Sequence, residues 1–257
     1  MTTRKRRKGK KEDPLERLGY LAKELNLTSL SGEVFPRLIE EAREKGLSYS
    51  DFALNLLELE IRTREDRRLN RNLKRSRLGI GRDLLEDYDF SRRPKLKPQV
   101  VRELLNCRWV EEKRNVICVG RPGLGKTRIL RALGRAACDM GFSVYYGITA
   151  EILEDLQASL ADGTFKKVFR RYQKPDVLIL DEFGYEPFAP KATSFLFRLV
   201  SLRHGSASTL LAANTGFAGW KAFFPSEAQA VATVDRLVDQ ATILHFTGKS
   251  FRRPRED

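Results

Sequence analysis

The chain has 257 residues, with 48 lysines and arginines against 34 aspartates and glutamates, which gives a formal net charge of +14. This length is enough to bury one substantial core and a small additional domain. A positive excess of this size favours polyanionic partners over cationic or neutral ones.

Basic residues crowd into the first eleven positions, and Glu12, Asp13 and Pro14 follow them directly. Residues 1–13 are predicted to be a disordered basic tail that contacts a polyanion, or one that serves only solubility or targeting. They are not expected to form a secretory signal peptide, because such a signal needs an apolar stretch after its positive residues. No segment is long and apolar enough to span a membrane, so we expect a cytoplasmic protein without a membrane partner. The three cysteines have no C-x-x-C spacing and the two histidines lie far apart, which argues against a zinc site.

Residues 14–83 predict a small helical domain. Leucines recur at helical spacing from Leu15 to Leu25, and a second apolar stripe ends before Gly46, a residue that terminates helices. A third helix begins near Ser48 or Ser50, either of which can cap its first turn.

The last turns of this third helix become strongly basic, and most of their cations share one helix face. A continuous basic face is typical of contact with the phosphate backbone of DNA. The alternative is a solvated helix with many ion pairs. The candidate DNA contacts here are Arg64, Arg67, Arg68, Arg71, Lys74 and Arg75.

A linker rich in glycine and proline, from Gly79 to Pro98, leads into residues 84–248, where short apolar strands alternate with helices. This alternation predicts an α/β domain with a parallel sheet covered by helices on both faces. Residues 249–257 predict a second basic tail. The expected strands are Asn115–Val119, Ser143–Gly147, Asp176–Leu180, Ser208–Ala213 and Ala241–Phe246.

The segment from Gly120 to Thr127 fits the phosphate-binding P-loop, G-x-x-x-x-G-K-[ST], and lies between a predicted strand and a predicted helix. Its glycines let backbone N–H groups turn towards an anion at the helix N-terminus. Lys126 would reach the terminal phosphates of ATP, and the Thr127 hydroxyl would bind Mg²⁺. The expected nucleotide contacts are Gly120, Pro122, Gly123, Leu124, Gly125, Lys126, Thr127 and Arg128.

Two carboxylates follow the next buried strand, at the edge where α/β sheets bind ligands. Asp181 would bind Mg²⁺, and Glu182 would act as the general base on the attacking water. A further apolar strand ends at Asn214, which could orient that water or simply form a turn.

The segment from Thr164 to Gln173 predicts an amphipathic basic helix with aromatic residues between its cations. It could add DNA contacts to the ATPase domain, or its aromatics could lie in the core with the charges in water. Its candidate contacts are Lys166, Lys167, Arg170 and Arg171.

The P-loop, the acidic strand end and Asn214 together resemble the Walker A, Walker B and sensor 1 motifs of AAA+ ATPases. The resemblance implies an arginine that reaches the nucleotide of a neighbouring subunit from the end of a later helix. Arg236 matches that position, unless it is a surface arginine paired with Asp235 or Asp239. Arg203 is the second candidate.

Within AAA+ proteins the chain resembles the IstB/DnaC-like group, and IstB-like proteins more closely. It ends about ten residues after the last strand, so we expect no C-terminal lid domain. Arg121 and Leu124 depart from the residues usual in that family. The matching segments are 56–65, 85–90, the P-loop, 180–185, Asn214, 235–237 and the closing run Gly248-Lys249-Ser250-Phe251-Arg252.

This resemblance implies a Mg²⁺-dependent ATPase that forms a homo-oligomeric ring or helix on duplex DNA, selects a target site and activates the transposase of its insertion sequence. A replicative helicase loader that prefers single strands is the main alternative. A small-molecule kinase would need an acceptor pocket and lid arginines. An architectural DNA-binding protein would not need intact Lys126, Thr127, Asp181 and Glu182.

Overall fold

The computed structural model describes residues 13–30, 34–79, 85 and 88–251. The predicted N-terminal tail lies outside this part of the chain except for Asp13, as do residues 252–257 of the predicted C-terminal tail. Contacts divide the chain into one unit that ends at Arg68 and a second that begins at Leu69. Within the described ranges, no helix has both the length and the apolarity needed to cross a bilayer.

The first unit is helical, and local sequence determines where its helices end. Gly46 follows the second helix in a left-handed conformation with φ of 60°, as the sequence predicts. Ser48 caps the third helix, because its Oγ accepts the Asp51 amide at 3.1 Å. The helices are α1 (Pro14–Glu24), α2 (Val34–Glu44) and α3 (Tyr49–Ser76), and α3 continues into the second unit.

The apolar core of the first unit is small. Ala22, Leu30 and Phe35 are buried, whereas Leu15 and Leu18 of α1 are each more than a third exposed. The regularly spaced leucines of α1 are therefore not buried in the core of this unit. Polar contacts between its helices consequently carry more of its stability than they would in a larger core.

Glu60 of α3 makes the main buried polar contact of the first unit. Its carboxylate accepts hydrogen bonds from the backbone N–H and the hydroxyl of Ser29 and from Arg64 Nε, the last at 2.6 Å. Burial alone would raise the pKa of Glu60, but the hydrogen bonds from Ser29 and Arg64 outweigh it and lower the pKa to about 2. The ionised carboxylate thus joins α3 to the turn at residues 28–30.

The second unit is built on a sheet of five parallel strands in the order β2-β3-β4-β1-β5. Each strand lies within a residue or two of its predicted bounds, apart from β3, which continues through the two carboxylates. The strands are β1 (Val116–Gly120), β2 (Val144–Ile148), β3 (Val177–Phe183), β4 (Ser208–Ala213) and β5 (Thr242–Phe246).

Helices cover both faces of this sheet, as predicted. Val116 and Cys118 of β1 belong to one apolar cluster with α6, while Ile117 and Val119 belong to a second cluster with α7 and α9. Such alternation shows that each strand is buried on both sides. The helices are α4 (Pro98–Leu105), α5 (Arg108–Glu111), α6 (Lys126–Asp139), α7 (Thr149–Ala158), α8 (Phe165–Gln173), α9 (Pro190–Arg203), α10 (Phe217–Trp220) and α11 (Glu227–Val238).

The buried Glu60 predicts that the first unit loses stability in acid. Its folded pKa is depressed, so its stabilising contribution is complete above the unfolded value of about 4.3 and is lost as pH falls towards 2. Glu60→Gln should lower the free energy of unfolding by on the order of 2 kcal/mol at pH 7 and should flatten its dependence on pH below 5.

Calorimetric unfolding at pH 7 and pH 3 measures both effects. Glu58→Gln is the matched control, because Glu58 is half-exposed and lies 3.7 Å from Arg62 in a surface pair. Equal behaviour of the two variants would contradict the structural role of Glu60.

Candidate functional site

Two left-handed glycines shape the P-loop between β1 and α6. Gly123 and Gly125 have φ of 76° and 86°, a region that residues with side chains disfavour. Gly125 caps α6, so the amides of the first helical turn, which have no intrahelical partner, come directly after the loop. This is the arrangement that binds a phosphate group.

Gly120, in contrast, has a packing role. It is the last residue of β1, and a β-carbon there would collide with the carbonyl and Cβ of Phe246 on the neighbouring strand β5. Among the described residues that line the cavity at the P-loop, the loop contributes Pro122 to Arg128 but not Gly120. Close pairing of β1 with β5 therefore requires glycine at position 120, and the contact of Gly120 with nucleotide stays a prediction.

The Lys126 ammonium lies over its own loop. Its Nζ donates to the carbonyls of Gly120 and Arg121 at 2.6 and 2.9 Å and to Oδ1 of Asn214 at 2.9 Å. Asn214 directly follows β4, which lies between β1 and β3 in the sheet. The side chain at the end of β4 thus holds the lysine that follows β1.

The two carboxylates of β3 differ in exposure, and the strand is irregular where they lie. The pairing of β3 with β4 shifts register between Leu180 and Phe183, and Glu182 has φ of 53°. Asp181 is buried, whereas Glu182 is exposed towards the cavity. A non-glycine residue in this conformation is uncommon and is enriched at functional sites.

Tyr146 and Arg131 belong to this site but have no sequence signature. The Tyr146 hydroxyl donates to Asp181 Oδ2 at 2.8 Å, and Oδ1 of the same carboxylate accepts the Glu182 amide at 2.9 Å. The Arg131 guanidinium lies 4.8 Å from the Tyr146 ring centre. Burial, together with the Asp181 charge, raises the pKa of Tyr146 to about 12, so it remains a hydrogen-bond donor at neutral pH.

These groups surround one cavity of about 740 Å³, large enough for a nucleoside triphosphate. It brings together residues that were predicted from separate segments of sequence. Lys126 and Thr127 come from the P-loop, Asp181 and Glu182 from β3, and Asn214 from the end of β4.

An aromatic layer supports the cavity from behind. Trp220 is fully buried, its ring centre lies 4.8 Å from that of Phe183 on β3, and its Nε1 donates to the Thr215 carbonyl at 3.0 Å. Phe183 directly follows Glu182 in the chain, and Thr215 directly follows Asn214. The contacts of Trp220 therefore position the ends of both strands.

Comparison with known proteins identifies the family. Residues 20–257 match the family described as IstB-like ATP binding protein. The chain belongs to this family. It is 35% identical over 238 residues to the protein of Pseudomonas aeruginosa named as the ATP-binding protein of insertion sequence IS21, covering 93% of this chain and 89% of that one.

A second relative, the ATP-binding protein named for insertion sequence IS5376 of Geobacillus stearothermophilus, is 30% identical over 237 residues, with 92% of this chain and 94% of that one covered. Among solved structures, DnaI superposes with a TM-score of 0.56 at 20% identity over 65% of this chain and 92% of that chain. The fold is therefore that of the AAA+ P-loop ATPases, and the family to which the chain belongs is one of ATP-binding proteins.

Arg203 cannot act as the arginine finger in this IstB-like chain. It is almost fully buried, and its guanidinium donates to the carbonyls of Gln173 and Pro175, each at 2.8 Å, and of Ser208. Burial lowers its pKa to about 9, so it still carries a charge at pH 7. The predicted second candidate is wrong, because this side chain is needed inside the subunit.

Arg236 is half-buried near the end of α11. It donates to the Ala232 carbonyl at 2.7 Å and its guanidinium lies 4.9 Å from the Phe197 ring centre. Asp239, one of its suggested ion-pair partners, instead contacts His204 at 2.8 Å. Neither contact of Arg236 is an ion pair.

The predicted DNA contacts differ in their surroundings. Arg64 is paired with buried Glu60, so its charge is offset inside the first unit. On α8, Val168, Phe169 and Tyr172 are buried while the cations are exposed, so the aromatics belong to the core and DNA contact by the cations stays a prediction. In the second unit a groove of about 780 Å³, called here the basic groove, is lined by Arg75, Lys166, Lys167, Arg170, Arg171 and Lys174.

Proposed function

We propose that this IstB-like protein hydrolyses ATP, assembles on duplex DNA, and in that form selects a target site and activates the transposase of its insertion sequence. The observation that carries the hydrolytic part is the convergence of Lys126, Thr127, Asp181, Glu182 and Asn214 on one cavity. The relatives are named as ATP-binding proteins of insertion sequences, which supports the transposition context.

The cavity has the donor set that a Mg²⁺-nucleotide requires. Thr127 and Asp181 would hold the ion, because hydroxyl and carboxylate oxygens are its preferred protein ligands. Asp181 accepts two hydrogen bonds, which leaves lone pairs of its carboxylate unfilled. Mg²⁺, when bound, neutralises charge on the β- and γ-phosphates.

The chain's own groups supply binding and proton transfer. The P-loop amides and Lys126 bind the phosphates, and the Asn214 amide keeps Lys126 in position. The Glu182 carboxylate is exposed to the cavity and accepts the proton of the attacking water. Tyr146 restricts Asp181 to one orientation, which limits the reorganisation needed at each turnover.

Glu182→Gln should retain ATP binding but lose at least about 100-fold in turnover, since the base is removed while the phosphate contacts stay. Lys126→Ala should instead weaken ATP binding itself. Phosphate-release kinetics and titration with a fluorescent ATP analogue separate the two effects. Turnover of Glu182→Gln at the wild-type rate would show that another group activates the water.

Assembly is proposed to complete the site through Arg236. The guanidinium of this residue has no carboxylate partner among its described contacts, and it is only half-buried. It can therefore leave the Ala232 carbonyl and the Phe197 ring to approach the nucleotide of a neighbouring subunit. Such an arginine stabilises the charge that develops on the transferred phosphoryl group.

Arg236→Ala should abolish most hydrolysis while ATP affinity and the midpoint of thermal unfolding stay near wild type. Arg203→Met is the comparison variant. Removing this buried cation, which is hydrogen-bonded to several carbonyls, should lower the midpoint of thermal unfolding by several degrees. Mixtures of Arg236→Ala with Glu182→Gln subunits should regain part of the activity, as some interfaces then combine an intact base with an intact finger. Co-assembled mixtures that stay inactive would exclude action between subunits.

DNA binding is proposed to use the basic groove. Lys166, Lys167, Arg170 and Lys174 make no ion pair among the described residues, and only Arg171 is paired, with Asp155 at 3.1 Å. Asn72 and Arg75 at the end of α3 also line the groove, so cations from two distant segments of the chain face the same groove. Repetition of such a groove along an oligomer would multiply weak contacts into tight binding.

The triple variant Lys166→Ala, Lys167→Ala, Arg170→Ala should weaken duplex binding and DNA-stimulated hydrolysis together, with basal hydrolysis retained. The slope of log K against log salt should fall by about 0.9 for each phosphate that the variant no longer neutralises. The control triple Lys95→Ala, Lys97→Ala, Arg102→Ala removes the same charge from exposed positions outside the groove. Fluorescence anisotropy with duplex and single-stranded oligonucleotides, with and without ATP, provides the measurement.

Equal reductions in affinity for the two triple variants would contradict a specific role for the groove. A clear preference of the wild-type protein for single strands would contradict the duplex-binding function and favour a helicase loader.

A further inference from the structure

The segment Gly248–Phe251, called here the strap, follows β5 and lies against the P-loop. Its sequence is part of the run that marks the family resemblance, yet neither hydrolysis nor DNA binding assigns it a role. Residues 249–257 are predicted to form a basic tail, and within that range the Ser250 hydroxyl and the Phe251 N–H both donate to the Gly123 carbonyl of the loop. The predicted linker also contributes, through Tyr88, Arg92 and Arg93.

The strap and the linker bind two successive carbonyls of the P-loop. The Phe251 N–H donates to the Gly123 carbonyl at 2.8 Å. The Leu124 carbonyl accepts Arg93 Nε at 2.8 Å and the Tyr88 hydroxyl at 3.3 Å. Both carbonyls are therefore drawn away from the loop by groups outside it.

Arg93 also fastens the strap. Its Nη1 donates to the Lys249 carbonyl at 2.8 Å, and its guanidinium lies 4.0 Å from the Phe251 ring centre. The neighbouring Arg92 donates to the Ser250 carbonyl at 3.1 Å. Arg93 is 1% exposed, and a buried charge is stable only when it has several hydrogen-bond partners. Those partners come from both the loop and the strap, so Arg93 joins the two segments.

Gly248 makes the approach of the strap possible. Its φ is 112°, a conformation that side chains avoid, and a β-carbon there would collide with the Arg92 carbonyl. At the other end, a β-carbon on Gly125 would lie 3.0 Å from Tyr88 Cε2 and 3.2 Å from Phe251 Cε2. The two rings thus press against the loop where α6 begins.

The direction of these carbonyls determines the direction of the loop amides. The peptide bonds of the loop are trans, so the C=O and N–H of each unit point in opposite directions. Because the Gly123 and Leu124 carbonyls are held by Phe251 and Arg93, the N–H groups of Leu124 and Gly125 point away from the strap, to the phosphate side.

We infer that the strap and Arg93 position the P-loop amides for phosphate before nucleotide arrives. Arg93 and Phe251 are positioning residues that act through the loop, and they do not contact the reacting atoms. The inference rests on the nucleotide-binding function of the loop and adds that phosphate affinity depends on residues beyond the last strand. Without the strap, the loop would bind phosphate more weakly, because part of the binding free energy would be needed to order the loop.

Two variants test this without changing charge. Arg93→Lys keeps the cation but cannot reach several carbonyls at once, and Phe251→Ala removes the ring that Arg93 covers. Arg93→Lys loses hydrogen bonds to loop and strap carbonyls, and Phe251→Ala loses the ring contacts that hold the strap against Arg93 and the loop. Each should weaken binding of both ATP and inorganic tripolyphosphate by about tenfold. Phe251→Tyr should restore binding, and Arg102→Lys, on an exposed face of α4, should leave it unchanged.

Isothermal titration with ATP and with tripolyphosphate, both with Mg²⁺, gives the affinities, and circular dichroism checks the fold. If Arg93→Lys unfolds, Phe251→Ala decides the outcome, because Phe251 is only partly buried. Unchanged ATP affinity in folded variants overturns the inference, and so does a loss restricted to ATP, which would mean a contact with the base. Failure of the wild-type protein to bind either ligand would instead refute the nucleotide site itself.

Discussion

Strand β4 pairs with β1 on one side and with β3 on the other, and the arrangement of polar groups at the candidate nucleotide site depends on that pairing. Ala213 lies opposite Val119 of β1 and Phe183 of β3, so the three strands end at nearly the same level. Since parallel strands present their carboxyl ends along one edge, the P-loop, the two carboxylates and Asn214 meet there. The hydrogen bond from Lys126 to Asn214 is a direct result of this order.

Buried charges fasten the elements around that sheet. Arg203 joins the end of α9 to the carbonyls that precede β3, and Arg93 joins the linker to the P-loop and the strap. Glu60 does the same for the helical unit. A buried ion without partners is costly, so each of these groups holds its segments in one arrangement, and its removal leaves buried partners without hydrogen bonds.

The sequence predicts the parts of this structure that depend on local patterns. Apolar runs and turn residues give each strand, the glycine spacing gives the P-loop, and two acids after a buried run give Asp181 and Glu182. The strand order does not follow from these patterns, because it depends on pairing between distant segments. Tyr146, Arg93 and Phe251 were missed for the same reason, since their partners lie 35, 31 and 128 positions away.

The sequence did not predict which arginines are buried and which are exposed. Arg203 and Arg236 look equivalent in sequence, each near the end of a helix that precedes a strand, yet the first is inside the core and the second is half-exposed. In sequence, Arg64 looks like its basic neighbours, and what distinguishes it is the burial of its ion-pair partner Glu60. Burial distinguishes such residues, and burial is a property of the whole fold.

The buried indole of Trp220 gives this protein an optical signal beside its candidate nucleotide site. The sequence has only two tryptophans, and this one packs on Phe183, next to Glu182, and bonds to Thr215, next to Asn214. Indole emission is sensitive to the polarity and hydrogen bonding of its surroundings. Replacing Trp109 with phenylalanine would leave a single tryptophan, whose emission reports on movement of both strand ends without any attached dye.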